Sequence, residues 1–176
     1  MLNYRYSPDG IAITEGFEAL RLNSYPDSGG VWTIGYGHTG KDVKPGMSVS
    51  LAQAIALLTA DVSSAEAAVC RGVLVDITQH EFDALVDFAF NDGCVAFLHS
   101  TLLRKLNAGD FVGAADELLR WINVDGRKSA GLLRRRTAER ALFMRDVVAV
   151  PAVADEATEA PTVEAFDAAV DASGKV

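Results

Sequence analysis

Two acids and a hydroxyl stand near the start of the chain at uneven intervals. Within EALRLNSYPDSGGVWTIGYGHTG, residues 18–40, Glu18 is followed nine residues later by Asp27 and six residues after that by Thr33. Two carboxyl groups beside a groove are the minimum for acid-assisted cleavage of a glycosidic bond. One gives a proton to the leaving oxygen, and the other assists attack at the anomeric carbon. The two roles need different surroundings, an apolar rim for the acid and a polar, hydrogen-bonded turn for the ionised group. Any single Glu or Asp is more often a solvated surface charge, so the pair gains weight only from what surrounds it.

The elements that must position these groups can be read from the same stretch. Ser7 and Pro8 suit the N-cap and first turn of a helix. Ile13, Phe17 and Leu20 then share a face at helical spacing, which sets Glu18 at the edge of an apolar stripe. SYPDSGG breaks the helix, and VWTIGYGHTG alternates like a strand or hairpin. Val31, Thr33, Gly35 and Gly37 fall on one face, Trp32, Ile34, Tyr36 and His38 on the other. The glycine-rich face suits equally the floor of a groove or a bend in a small sheet.

From Ser50 to nearly residue 148 the pattern is helical. Leu51, Ile55, Leu58 and Val62 form one stripe. Thr78-Gln79-His80-Glu81 is a capping-box match ahead of Phe82, Leu85, Val86 and Ala89. Ser100 opens a short helix that Gly109 stops. Asp110 opens the next, carrying Val112, Ala115, Leu118 and Leu119, and Ser129 begins the last.

The 176 residues are 49% hydrophobic and 23% charged, enough for one domain with a real core. Of the formal charge of −8, residues 147–176 carry −5, which leaves −3 on the rest. Such a balance argues against nucleic acid as a partner, because phosphate binding needs clustered positive charge. The longest charge-free run, between Lys44 and Asp61, holds sixteen residues, fewer than the roughly 20 needed to cross a bilayer. MLNYRYSPDG has no apolar signal-like core, so the expectation is cytoplasmic synthesis without signal peptide or membrane anchor. Cys70 and Cys94 suit small, buried hydrophobes, and His38, His80 and His99 are too scattered to suggest a metal. Residues 1–146 are expected to form the domain, and the Ala/Val-rich, acidic 147–176 a weakly ordered tail.

The segment from Glu18 to Gly40 closely resembles the catalytic segment of the phage-type lysozymes, the muramidases of glycoside hydrolase family 24. That family carries a Glu, an Asp nine residues on and a Thr six later within WTIGYGHT; the match places these on Glu18, Asp27 and Thr33. Glu15, although followed by Gly16, is twelve residues from Asp27 and does not fit. Ala19 stands where the family mostly has glycine, a small residue for a small one. ALVDFAFNDGCVAFLHSTLLRKLNAGDFVGAADELLRW and GLLRRRTAERALF resemble the family's helical lobe, so the likeness covers roughly residues 8–145.

The resemblance implies an α+β, mostly α, two-lobed lysozyme-like fold with a β-hairpin lobe, a helical lobe and a cleft between them. It implies hydrolysis of the β-1,4 bond from N-acetylmuramic acid to N-acetylglucosamine in peptidoglycan, with no metal or organic cofactor. Glu18 would be the general acid, and Asp27 and Thr33 would hold a water or stabilise charge, as in an inverting enzyme. Asn91 matches a polar residue lining the cleft; a helix-end cap is its plain alternative. His38 and Asp61 match a structural pair. Among Arg134, Arg135 and Arg136, the resemblance points to Arg135 facing Glu18, with the others on a solvated face and Arg136 spaced for an ion pair with Glu139. A monomer is expected, and passage to the cell wall would fall to a membrane-permeabilising partner such as a holin. The alternative is a lysozyme-like cell-wall-binding or scaffolding module, which loss of Glu18, Asp27 or Thr33 would have favoured.

Overall fold

The computed structural model describes residues 4–147, apart from Ser28 and Asp125; the expected tail, 147–176, lies outside the described residues from 148 onward. Helix α1, Pro8–Phe17, begins as its sequence dictates. Ser7 is extended, its hydroxyl accepts from the amides of Asp9 and Gly10, and Pro8 occupies the first turn, where a missing N–H costs nothing.

The helix ends earlier than the expected stripe. Glu18 is its extended C-cap, with φ −94° and ψ 134°, and Leu20 lies beyond it, 39% exposed. Ile13 and Phe17 are only half-buried; the buried residues of α1 are Gly10 and Thr14. The buried face is therefore small and polar. Gly10 lies under the ring of Tyr6, where any side chain would meet the ring at 2.3 Å, and Thr14 binds an acid from another helix.

Three antiparallel strands follow in order, β1 (Arg21–Pro26), β2 (Trp32–Gly35) and β3 (His38–Thr39). Tyr25 pairs with Thr33 and Ile34 with His38, and the register slips between Arg21 and Tyr25. The alternation of VWTIGYGHTG stops at Gly35. Gly35 and Gly37 have φ +66° and +87° and flank the turn into β3, a conformation costly for residues with a Cβ. They form the bend of the small sheet.

Helix α2 (Leu51–Asp61) closes against β2 and starts in a capping box of Ser50 and Gln53. It buries Ala54 and Leu58, with Val62 buried just past its end. Leu51, expected in that stripe, is 50% exposed because it occupies the first turn, outside the contact. Helix α3 (Ser63–Gly72) leads to α4 (Gln79–Asp92), whose capping box of Thr78 and Glu81 forms as expected. Phe82, Leu85, Val86, Phe88 and Ala89 of α4 are all at most 1% exposed. This central helix is packed by α1, α3, α5 (Cys94–Leu98) and α8 (Ala130–Phe143).

Helices α6 (Thr101–Asn107) and α7 (Phe111–Leu118) start at the hydroxyl of Ser100 and the carboxylate of Asp110, and Gly109 turns between them with φ +82°. Val112 is exposed, whereas Ala114, Ala115 and Leu118 are buried. The expected unbroken run of helices is interrupted by a two-stranded hairpin, β4 (Asn123–Val124) and β5 (Arg127–Lys128), turning at Gly126 with φ +75°. Phe88 anchors the helical core edge-on against Trp121 at 5.2 Å and Phe97 at 6.4 Å. Cys70 and Cys94 are free and partly buried against this core. The chain thus adopts the expected mostly helical α+β arrangement with its small sheet.

Candidate active site

The end of α1 delivers Glu18. Its amide donates to the Thr14 carbonyl at 2.9 Å, which fixes the point where helix gives way to extended chain. The side chain is 28% exposed, wet on one side only. Arg135 Nη1 donates to Glu18 Oε1 at 2.7 Å, a contact between residues 117 apart in sequence. The guanidinium also lies over the Phe17 ring, 5.7 Å from its centre.

Behind Arg135 stands an acid that the sequence did not single out. Asp87, on α4 and fully buried, accepts from Arg135 Nε and Nη2, each at 2.9 Å. The Thr14 hydroxyl donates to Asp87 Oδ1 at 2.6 Å, and the Tyr6 hydroxyl reaches the same oxygen at 3.5 Å. Burial alone would push the Asp87 carboxyl up. The hydrogen bonds of Arg135, then the neighbouring Glu139 carboxyl, the charge of Arg135 and the Thr14 hydroxyl, outweigh it and hold Asp87 below the ordinary carboxylate range. Burial likewise opposes the charge on Arg135, and Asp87 and Glu18 more than restore it.

Arg136 corrects an expectation. It is fully buried rather than part of a solvated face, because it turns into the space beneath α4. Its guanidinium covers the Phe88 ring at 5.0 Å, pairs with Asp92 at 2.6 Å and lies 3.2 Å from Glu139, the pairing that its spacing suggested. Glu139 is also fully buried, 3.7 Å from Arg135, and neither of its oxygens accepts a hydrogen bond among the described residues. Burial pushes its carboxyl well above the ordinary value, with the neighbouring Asp87 adding to the rise. Asn91, in the last turn of α4 and exposed, accepts from Arg136 Nη2, which orients its amide.

Asp27 is held quite differently. It follows β1, and its Oδ1 accepts from the amides of Gly29 and Val31, each at 2.8 Å, while its own amide donates to the Val31 carbonyl. Gly30, with φ +78°, makes the turn possible. The two donors fix one oxygen and leave the other without a hydrogen bond among the described residues. Thr33 is buried on β2, and its hydroxyl donates to the Val31 carbonyl at 3.1 Å. Asp27 and Thr33 are therefore organised by one backbone residue, Val31.

His38 and Asp61 meet, with Nδ1 2.9 Å from the carboxylate. Asp42, which sequence reasoning missed, approaches Nε2 at 3.1 Å. Burial would lower the His38 pKa, but the hydrogen bonds of Asp61 and Asp42 outweigh it and hold it above the ordinary value. This cluster ties the hairpin to α2. Asp87 and Glu139 left a trace in the sequence, an acid inside the apolar run ALVDFAF and another following three arginines, but only the fold shows that they share one set of guanidinium groups.

A family model of phage lysozyme matches residues 15–139. An endolysin of Acyrthosiphon pisum secondary endosymbiont phage 1 is 40% identical over 141 residues, 78% of this chain and 96% of that protein. A SAR-endolysin of Escherichia phage Mu is 44% identical over 126 residues, 72% of this chain and 73% of its own length. Among solved structures, a mutant of P22 lysozyme superposes with a TM-score of 0.75 at 40% identity, covering 80% of this chain and 99% of that one.

Proposed function

The chain belongs to the phage lysozyme family, and on that premise we propose that Glu18 is the general acid and that Asp27 with Thr33 holds the attacking water. The protein is a peptidoglycan hydrolase, a muramidase acting on the bond between N-acetylmuramic acid and N-acetylglucosamine. The observation that carries the assignment is the contrast between the two acids. Glu18 stands half in water with one oxygen fixed by Arg135 and the other uncommitted among the described residues, as a proton donor to a leaving oxygen requires. Asp27 has its carboxylate aimed by the amides of Gly29 and Val31, and the Thr33 hydroxyl is fixed on the carbonyl of the same Val31, as groups that orient water require. Asn91, oriented by Arg136, is read as a contact for the sugar chain. His38 and Asp61 are read as supports of the hairpin.

Among the described residues no helix is long and apolar enough to cross a membrane. In the proposed reading the enzyme acts as a monomer and reaches the wall when a separate partner, such as a holin, opens the inner membrane. One experiment tests both parts. The chain and its Glu18→Gln variant are expressed in a Gram-negative host, and an agent that opens the inner membrane is then added. Lysis is expected to follow the agent for the wild type, and to be slower by about 10²- to 10⁴-fold for the variant. Lysis by a folded Glu18→Gln protein within a few-fold of wild type would remove Glu18 from the mechanism. Lysis on induction alone would remove the need for a permeabilising partner.

A further inference from the structure

We propose that Asp87 is a positioning residue for the reaction: it holds Arg135 by two of its nitrogens and takes up part of its charge, so that Arg135 orients the Glu18 carboxyl without claiming it wholly as an ion-pair partner. The proposal rests on the reading of Glu18 as the general acid.

The geometry sets the division of labour. A guanidinium offers its donors in a rigid fork, and Asp87 occupies the edge formed by Nε and Nη2. Nη1, the nitrogen that Asp87 does not engage, points at Glu18 at 2.7 Å. The same Asp87 accepts from Thr14, four residues before Glu18 on α1. One buried carboxylate therefore fixes both the helix that ends in Glu18 and the cation that Glu18 meets.

The charges make the arrangement necessary. A general acid must carry its proton when substrate arrives, yet a full positive charge in hydrogen-bond contact favours the ionised carboxylate. A buried counter-charge on the far side of Arg135 offsets that pull. From α8, the groups facing Arg135 are Glu139 at 3.7 Å and, beyond it, Arg136, which is paired with Asp92 of α4. From the N-terminal segment and α1 come Tyr6, Thr14 and the ring of Phe17. Burial pushes the Glu139 carboxyl and the Tyr6 phenol up, toward their uncharged forms, whereas Asp87 is held below the ordinary carboxylate range. Asp87 is therefore the buried group in direct contact with Arg135 that favours its ionised form among the described residues.

The test is the pH dependence of kcat/KM for wild type, Asp87→Asn, Arg135→Gln and the double variant, with folding checked by circular dichroism. Asp87→Asn is expected to move the alkaline limb down by roughly one pH unit, because Arg135 then presses its whole charge on Glu18. In the Arg135→Gln background the same substitution is expected to move that limb no further. A merely structural Asp87 would lower the rate evenly across pH and leave the limb in place, which would overturn the proposal. An equal shift in both backgrounds would also overturn it, since the effect would not pass through Arg135. If Asp87→Asn does not fold, Asp87→Ser leaves space and a hydroxyl for Thr14 and carries the same expectation. Failure of the underlying reading is separate: it would appear as an active Glu18→Gln enzyme, whereas an inactive one with an unmoved Asp87→Asn limb defeats this proposal alone.

Discussion

Glu18 and Asp27 lie nine residues apart, yet they are held in place by opposite means. Glu18 depends on side chains from the far end of the chain: Arg135 reaches it from α8, and Asp87 on α4 holds Arg135. That side of the site is a buried ionic network whose members lean on one another. Asp27 depends on its own loop, through the amides of Gly29 and Val31. A local turn can be specified by a few neighbouring residues and tolerates change elsewhere. A buried network is costly to assemble and fails when any member is removed, because the others are left charged and unpaired.

The contrast can be broken or sharpened by substitution. Arg135→Gln should give the largest stability effect, about 3–5 kcal/mol, because it strands Asp87 as an uncompensated buried charge. Chemical denaturation of the variant checks this, and a loss below about 1 kcal/mol would show that the network is not the structural centre of the Glu18 side. On the Asp27 side, Gly30→Ala should cost only about 1–2 kcal/mol, the strain of a Cβ at φ +78°, for which the space itself is open. Its activity should fall more than its stability, since the loop that aims Asp27 is what distorts.

A smaller effect is expected where the hairpin meets α2. The folded His38 pKa lies above its ordinary, unfolded value of about 6.5. The proton is therefore bound more tightly in the native state, and the resulting stability is full below about pH 6.5 and disappears as pH rises through the folded value. Asp61→Asn should thus lower the melting temperature more at pH 5.5 than at pH 9, by an amount equivalent to about 0.2–1 kcal/mol. An equal loss at both pH values would mean that the pair contributes shape and not charge.

The same contrast explains what could be read from the sequence. The hairpin, the Thr78–Glu81 cap and the spacing of Glu18, Asp27 and Thr33 are local, and their residue types carry their own reasons. The end of α1 was misplaced because periodicity continues through Leu20, whereas the chain must leave the helix at Glu18 to enter the sheet. Arg136 looked like a surface charge because its partners, Asp92 and the Phe88 ring, come from α4, more than forty residues earlier. Asp87 was missed for the same reason: a lone acid in an apolar helix needs a distant cation, and nothing in ALVDFAF says which one. The β4–β5 hairpin escaped notice because two residues per strand give no alternation to detect.

The central claim is that Glu18 and Asp27 work on opposite faces of the sugar with a water between Asp27 and the anomeric carbon. Such an arrangement inverts the configuration at that carbon, whereas direct attack by the carboxylate, through a covalent intermediate, retains it. Proton NMR of the newly formed reducing end, recorded during hydrolysis of a defined peptidoglycan oligosaccharide and before mutarotation, decides between them. The account predicts that the α-anomer appears first from the β-linked substrate. Initial appearance of the β-anomer would contradict it and make Asp27 a nucleophile rather than the holder of a water.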